Sequence, residues 1–248
     1  MDHTLFEECL VKAIAHGIGR VSVVNFNEPT LDPQFDKRIE SIARSGLRLV
    51  LYTNGTALTL DRIRALQNLK ECGVIINVPS ADPDTFRKMT GTGNFNHTCS
   101  VIDNLFAAGV PTALSVQGTP KERRLEEPGI LKRFGNHITP TYTGDRAGAL
   151  TNLYGRFVHI TTPCLFGCPV PPSTIYVNVR GNLYLCCEDY YHTTEYGNIR
   201  DGSLKEILAS AKAKQILAWV FGTEPAPDNF VCRNCVTALH SRSFGGGC

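Results

Sequence analysis

The sequence predicts an α/β fold in which an incomplete, TIM-like (β/α) barrel is followed by a small cysteine-rich domain made of a β-hairpin and a helix. From the start to about residue 143, short β-branched runs alternate with amphipathic stretches, as parallel βα units require. After about residue 154 this alternation stops and cysteines become frequent. We therefore expect two domains, residues 1–150 and residues 151–248.

The helices of the first domain are predicted from apolar residues at helical spacing, together with a capping residue or proline at the start, a glycine at the end, or both. Each strand is predicted from a short β-branched run. The predicted elements are a helix from a possible capping box at residues 4–7 to Gly17, strand 21–25, a helix opened by Asp32 and Pro33 and ended by Gly46, strand 48–52, helix 60–72, strand 74–78, two helices between Asp82 and Gly109, strand 111–116 and strand 137–143.

Five strands in about 143 residues are too few for a closed eight-stranded barrel, which typically needs about 250 residues. An open or partial barrel is therefore expected, with its ligand at the carboxyl ends of the strands. Polar segments that suit ordinary turns follow the strands, but together on one rim they could bind an amino acid's ammonium and carboxylate groups. These segments are residues 25–29, residues 53–55, Asn77 with Ser80, Gln117, and residues 145–148.

The composition excludes several classes of protein. With 42% hydrophobic and 19% charged residues, the 248-residue chain is neither disordered, collagen-like nor a coiled coil. Its 25 basic and 23 acidic residues form no run of one sign, so we expect no nucleic-acid partner. No apolar run approaches the roughly 18 residues that cross a membrane, and a signal-peptide pattern is missing. We expect a cytoplasmic protein without a membrane partner.

The cysteines point to a metal site in the second region. Only three of the ten cysteines precede residue 164, and thiols kept reduced in the cytoplasm are more often metal ligands than disulfide partners. Two β-rich runs around Gly181 predict a hairpin that brings Cys168 near Cys186. After a helix with a capping box at residues 203–206, the chain continues to Cys232 and Cys235, which are spaced as Cys-x2-Cys.

Four thiolates from this region are compatible with zinc or with an iron–sulfur cluster, and spacing alone does not separate the two. Cys164 is an alternative ligand to Cys168, and Cys187 to Cys186. A redox-active dithiol at the Cys-x2-Cys pair is disfavoured because a thioredoxin-like βαβ setting is missing around it.

These motifs resemble those of the radical S-adenosylmethionine (SAM) superfamily, in the branch with a C-terminal twitch or SPASM auxiliary-cluster domain. The Asn-Glu-Pro of residues 27–29 is similar to the family's Gly-Glu-Pro-type motif, and residues 53–55 match its Thr-Asn-Gly. The resemblance implies that SAM is bound on this rim. The residues it implies for cofactor binding are Asn27, Glu28, Pro29, Thr53, Asn54 and Asn77.

The resemblance is most specific in the cysteine-rich region. The family's auxiliary motif reads Cys-x(9–15)-Gly-x4-Cys, a gap, and Cys-x2-Cys, and it is matched by Cys168, Gly181, Cys186, Cys232 and Cys235. The resemblance thus implies that these four cysteines hold a 4Fe-4S cluster, with the glycine spacing favouring Cys168 and Cys186 as ligands.

Two departures from the family pattern change what we expect. The longer SPASM form has a further cysteine where this chain has Ser241, so we expect one auxiliary cluster. The family's defining Cys-x3-Cys-x2-Cys does not occur in the 248 residues, because Cys164-x3-Cys168 is followed by Pro171 at the third position. We expect a first strand and its cysteine loop to be missing upstream of Met1, for instance through a misplaced start codon.

Three functions remain open. The first is an enzyme that uses SAM to make a 5'-deoxyadenosyl radical and modifies a peptide or small molecule, with an electron-donor protein as a further partner. This function requires the upstream cysteine segment, so the 248 residues alone are expected to be inactive. The second is a non-catalytic iron–sulfur relative that acts in binding or electron transfer. The third is a structural zinc protein.

Overall fold

The computed structural model of the chain describes residues 1–24, 26–116, 120–139, 145–150 and 165–238. The chain divides into two compact units, one formed by Ala13–Thr143 and the other by Met1–Lys12 together with Gly144–Cys248. The grouping of the first twelve residues with the C-terminal unit was not expected from the sequence. In the described parts of the chain, we find no helix that combines the length and the apolarity needed to cross a bilayer.

A parallel five-stranded sheet forms the first unit, with its strands in the order of the sequence. The predicted fold class, a partial α/β barrel followed by a second domain, is confirmed. The strands are β1 (Arg20–Ser22), β2 (Arg48–Thr53), β3 (Cys72–Asn77), β4 (Thr112–Ser115) and β5 (Ile138–Thr139).

Helices of the first 143 residues fall between these strands, apart from the first one, which precedes them. They are α1 (His3–Ala15), α2 (Phe35–Ser45), α3 (Leu60–Gln67), α4 (Pro83–Thr90), α5 (Phe95–Ala107) and α6 (Pro120–Phe134), with a short 3-10 helix at Pro29–Leu31. The start of α4 and the end of α2 follow the predicted rules. Asp82 accepts a hydrogen bond from the Thr85 amide at 2.8 Å, and Gly46 ends α2 in the left-handed conformation.

Side chains alternate between buried and less buried positions along the central strands, as the period of two requires. Leu51 of β2, Val74 of β3 and Leu114 of β4 are almost completely buried, whereas Tyr52 on the other face of β2 is 43% exposed. Burying each such aliphatic side chain stabilises the fold by roughly 1.5–3 kcal/mol. The core therefore fixes the sheet, and with it the positions of the loops at the carboxyl ends of the strands.

Several element boundaries differ from the prediction. The helix predicted over 60–72 ends at Gln67, and Cys72 begins β3, because Gly73 pairs with Val50 in the sheet rather than stopping a helix. Asp2, not Thr4, caps α1 by accepting a hydrogen bond from the Leu5 amide at 2.8 Å.

Two further features of the helices differ from the prediction. Asp32 accepts from the Gln34 amide at 2.8 Å in the turn before α2, so it does not cap the helix itself. Helix α6 was not predicted, because Pro128 and Gly129 within it are typical helix breakers.

The second unit contains a three-stranded antiparallel sheet and short helices. Its elements are α7 (Val170–Ser173), β6 (Tyr176–Val177), β7 (Asn182–Tyr184), β8 (Gly197–Asn198), α8 (Leu204–Leu208) and α9 (Ala211–Val220), with 3-10 helices at Ile199–Asp201 and Val231–Asn234. The predicted hairpin is present as β6 and β7, although each strand is shorter than expected. The single helix predicted after Ser203 is two helices, because Ser210 caps the second one.

The start of α1 packs within this second unit. The Lys12 ammonium donates a hydrogen bond to the Ile199 carbonyl, and Arg200 lies 3.6 Å from the Glu8 carboxylate. A Cβ atom at Gly181, in the β6–β7 turn, would lie 3.2 Å from Leu5, and this residue has a φ of +87°. Glycine is thus needed at the turn for two reasons, its conformation and the close approach of α1.

Candidate functional site

Four cysteines lie together in the buried core of the second unit. Cys168 is 8% exposed, Cys186 is 6% exposed, and Cys232 and Cys235 are each 4% exposed. All four are thiols rather than disulfides in this structure. The structure thus brings together the four cysteines that the sequence singled out as metal ligands. The apolar side chains buried with them include Leu165, Leu185, Ile216, Val220 and Phe230.

Each cysteine is held by a short element or turn. Cys168 lies just before α7, and Cys186 follows β7, where the Asp189 amide donates to its carbonyl at 3.1 Å. Cys232 and Cys235 are joined by the 3-10 turn near the end of the described chain, with the Cys235 amide 3.3 Å from the Cys232 carbonyl. Because three separate segments of the chain supply them, only the folded unit can assemble this set.

Backbone amides are aimed at the sulfur atoms. The Thr237 amide donates to Cys235 Sγ at 3.4 Å, and the amides of Glu188 and Asp189 donate to the Cys186 sulfur. The Val170 amide donates to the Cys168 sulfur in the same way. Amide hydrogen bonds to sulfur favour the thiolate form, and around metal–thiolate centres they tune the properties of the centre.

Burial works against ionisation of the same thiols. Burial raises the pKa of Cys186 to about 12, with nearby Cys187 contributing to the increase. The pKa of Cys232 is also raised well above its ordinary value, first by burial and then by the neighbouring Cys186, Cys235 and Cys168. Four adjacent buried thiols are therefore neutral at pH 7 unless a cation compensates for their charge.

This donor set fits a metal centre. Sulfur ligands select zinc or iron–sulfur clusters, and a buried group of four thiols with amides aimed at their sulfurs has the chemistry that either requires. In the described residues, no three His, Cys, Asp or Glu side chains are arranged to hold a metal ion. The fit therefore depends on the identity and burial of the donors and not on ready-made coordination geometry.

Two residues that the sequence analysis did not connect lie next to these cysteines. Arg146, one of the polar residues predicted to follow the strands, is grouped with the second unit and places Nη1 3.0 Å from Glu188 Oε1. Glu188 is only 7% exposed. A charged residue two positions after Cys186 was the one available sequence signal for this pair.

In the first unit, Glu28 joins the loops that follow β1 and β2. Its Oε1 accepts hydrogen bonds from the Thr30 amide at 3.0 Å and from the Thr53 hydroxyl at 2.6 Å. Its Oε2 accepts from the Asn54 amide at 2.6 Å. The Thr30 hydroxyl also donates to Oε1, at 2.5 Å. One carboxylate therefore holds both loops, and this role could not be foreseen from the motif alone.

The other rim residues predicted for cofactor binding are spread over the same carboxyl ends. Asn27 is exposed, Pro29 is buried and begins a 3-10 helix, and Asn54 accepts from the Thr56 amide at 2.8 Å. Asn77 ends β3, and its buried Oδ1 has no hydrogen-bond partner among the described residues. Asn77 thus offers a buried acceptor without a partner, on the strand next to the one whose end contacts Glu28. Such an acceptor fits a polar ligand at this rim. Gln117 and Cys164 lie outside the described residues.

Two family models match the chain. The radical SAM superfamily matches residues 7–124, which contain the sheet up to β4, and an iron–sulfur cluster-binding domain, SPASM, matches residues 168–236. The second match begins at Cys168 and includes all four clustered cysteines. Among curated proteins, a GTP 3',8-cyclase from Rhizobium etli is 29% identical over 126 residues, covering 48% of this chain and 35% of the cyclase. The chain thus matches about a third of that relative's length.

Solved structures share the fold at low sequence identity. The structure titled native anSMEcpe with bound AdoMet has a TM-score of 0.65 at 15% identity, covering 89% of this chain and 74% of that one. BtrN in complex with AdoMet and 2-DOIA gives 0.60 at 19% identity, covering 92% and 79%. Streptococcus suis SuiB bound to precursor peptide SuiA gives 0.63 at 13% identity, covering 86% and 58%.

Proposed function

The chain belongs to the radical SAM superfamily and carries a SPASM iron–sulfur domain, since two family models together cover most of it, and we propose that it is the larger part of a radical SAM enzyme. In this proposal the second unit holds one 4Fe-4S cluster on Cys168, Cys186, Cys232 and Cys235. The observation that carries the proposal is the burial of these four thiols together, with backbone amides donating to their sulfurs. Four buried thiols from separate segments, grouped together with amides donating to their sulfurs, suit ligation of an iron–sulfur cluster.

The first unit would bind SAM at the carboxyl ends of β1 to β3. When bound to SAM, the family's other cluster supplies one electron that cleaves the sulfonium to methionine and a 5'-deoxyadenosyl radical. Glu28 fixes the loops on either side of the site through Thr30, Thr53 and Asn54. Asn77 offers a buried amide oxygen for a donor on the ligand. These residues bind and orient the cofactor, and Asn27 and Pro29 complete the predicted set.

The substrate class is a peptide or a small molecule. Support comes from the two kinds of ligand named with structures of the same fold, the precursor peptide SuiA with SuiB and 2-DOIA with BtrN. An electron-donor protein is a further partner in this proposal, because both clusters of such an enzyme take up electrons one at a time. No nucleic-acid or membrane partner is proposed, and the proposed location is the cytoplasm.

A non-catalytic iron–sulfur protein is the second candidate function. The observation that favours it is the lack of a Cys-x3-Cys-x2-Cys motif anywhere in the 248 residues. Without such a motif the radical-forming cluster has no ligands in this chain, whereas the four clustered cysteines of the second unit are all present. In that case the protein would bind a partner or transfer electrons to it.

The test reads the gene in frame upstream of the Met1 codon and expresses the longest product anaerobically. We expect an upstream Cys-x3-Cys-x2-Cys, and formation of 5'-deoxyadenosine from SAM in the presence of dithionite. The 248-residue chain, reconstituted in parallel, is the control and should form none. If no upstream motif exists and no 5'-deoxyadenosine is detected, the enzyme assignment is wrong and the second candidate stands.

A further inference from the structure

Arg146 and Ala147 have an unusual backbone conformation. Their φ angles are +53° and +52°, in the left-handed region that non-glycine residues rarely adopt. Backbone hydrogen bonds close this turn, from the Ala149 amide to the Arg146 carbonyl at 3.0 Å and from the Leu150 amide to the Asp145 carbonyl at 2.9 Å. Two consecutive strained residues persist only where the surrounding structure holds them, so the turn has a structural or functional purpose.

The turn directs its two residues toward the cysteine cluster. Ala147 packs in the same buried core as Cys168, Cys186, Cys232 and Cys235. The Arg146 guanidinium reaches Glu188, with Nη1 3.0 Å from Oε1 and 3.5 Å from the Cys187 carbonyl. The strained backbone thus brings a cation to the segment that follows Cys186.

Glu188 is a buried carboxylate beside this centre. Its amide donates to the Cys186 sulfur, and its charge contributes to raising the pKa of both Cys168 and Cys235. Its Oε2 is buried and has no hydrogen-bond partner among the described residues, so Arg146 is the cation that the structure shows compensating for its charge. A negative charge next to thiolate ligands is unfavourable unless it is paired.

We propose that the Arg146–Glu188 ion pair sets the reduction potential of the iron–sulfur centre held by the four cysteines. This inference rests on the proposed cluster in the second unit. The potential of such a centre depends on the net charge and the hydrogen bonding around it, and charges act strongly in a buried environment. The negative charge of Glu188 disfavours reduction, because the reduced centre carries one more negative charge than the oxidised centre. The positive charge of Arg146 offsets that effect. Both act as positioning and electrostatic residues, not as catalytic ones.

The test measures the midpoint potential of the full, anaerobically reconstituted chain by redox titration followed by electron paramagnetic resonance. Arg146→Gln leaves Glu188 unpaired and should lower the potential, whereas Glu188→Gln leaves the guanidinium unpaired and should raise it. The double variant should return close to wild type, and Arg146→Lys should shift the potential less than Arg146→Gln. Arg200→Gln is the control, because Arg200 is 58% exposed, pairs with Glu8 and is not part of the core that holds the four cysteines. It should leave the potential unchanged.

Iron and sulfide are counted in every variant, so that the loss of a cluster is separated from a shift in its potential. Potentials that stay at the wild-type value in single variants with intact clusters overturn the proposal, as do shifts of the same sign in both. If both single variants lose the cluster, the double variant decides the question. A double variant that retains the cluster supports the proposal, and a double variant that also loses the cluster contradicts the proposal. A wild-type chain without iron would instead contradict the proposed cluster itself.

Discussion

Replacing Cys186 by alanine should abolish iron binding in the second unit, whereas the same replacement of the adjacent Cys187 should leave it intact. Cys186 is 6% exposed, belongs to the buried group of four cysteines, and accepts two amide hydrogen bonds at its sulfur. Cys187 lies outside that core and is only half-buried. We therefore expect Cys186, rather than Cys187, to be the ligand.

The measurement is iron and acid-labile sulfide per chain after anaerobic reconstitution of each variant. Cys232→Ala with Cys235→Ala should behave as Cys186→Ala does, because the Cys-x2-Cys turn supplies two of the four donors. Cys99→Ala, a buried thiol in the other unit, is a control for general destabilisation. Retention of iron by Cys186→Ala together with its loss in Cys187→Ala would reverse the ligand assignment.

Replacing Glu28 by alanine should release the loops after β1 and β2. The substitution removes an acceptor from the Thr30 amide, the Thr53 hydroxyl and the Asn54 amide, and hydrogen bonds to a charged group contribute about 1.5–3 kcal/mol each. A local loss of about 3 kcal/mol corresponds to roughly 100-fold faster amide exchange in the affected segment. We expect this acceleration in peptides that contain Thr30 and Asn54, together with weaker SAM binding by the full-length enzyme.

Two variants make this prediction specific. Glu28→Gln keeps an oxygen for Thr30 and Thr53 but places an amide nitrogen opposite the Asn54 amide, so it should accelerate exchange mainly at Asn54. Glu71→Ala removes an exposed carboxylate that lies 3.5 Å from Arg48 and should leave both peptides unchanged. Unchanged exchange at Thr30 and Asn54 in Glu28→Ala would show that the carboxylate does not hold the loops.

The sequence predicted the fold class because its signals were local and repeated. Gly46 and Asp82 end and begin helices as expected, and the β-branched runs became parallel strands in the predicted order. The boundaries failed where tertiary pairing outweighed a local signal. Gly73 is a strand residue paired with Val50, and Pro128 is tolerated inside a helix. Neither outcome can be foreseen from propensity alone.

The candidate site was predicted only in part, because some of its contacts join residues that are far apart in the sequence. Spacing around Gly181 pointed to Cys168 and Cys186, which do lie together with the Cys-x2-Cys pair. The strained turn at Arg146 and its contact with Glu188 were missed, because the two residues are 42 positions apart and no local pattern connects them. The packing of α1 on Gly181 was missed for the same reason.

Counting iron, acid-labile sulfide and zinc per chain in the anaerobically reconstituted wild-type protein tests the central claim most directly. The claim is that Cys168, Cys186, Cys232 and Cys235 hold one 4Fe-4S cluster. About four irons and a matching amount of sulfide per chain are expected for the 248-residue protein. Zinc at about one per chain without sulfide would contradict the claim and make the second unit a structural zinc domain.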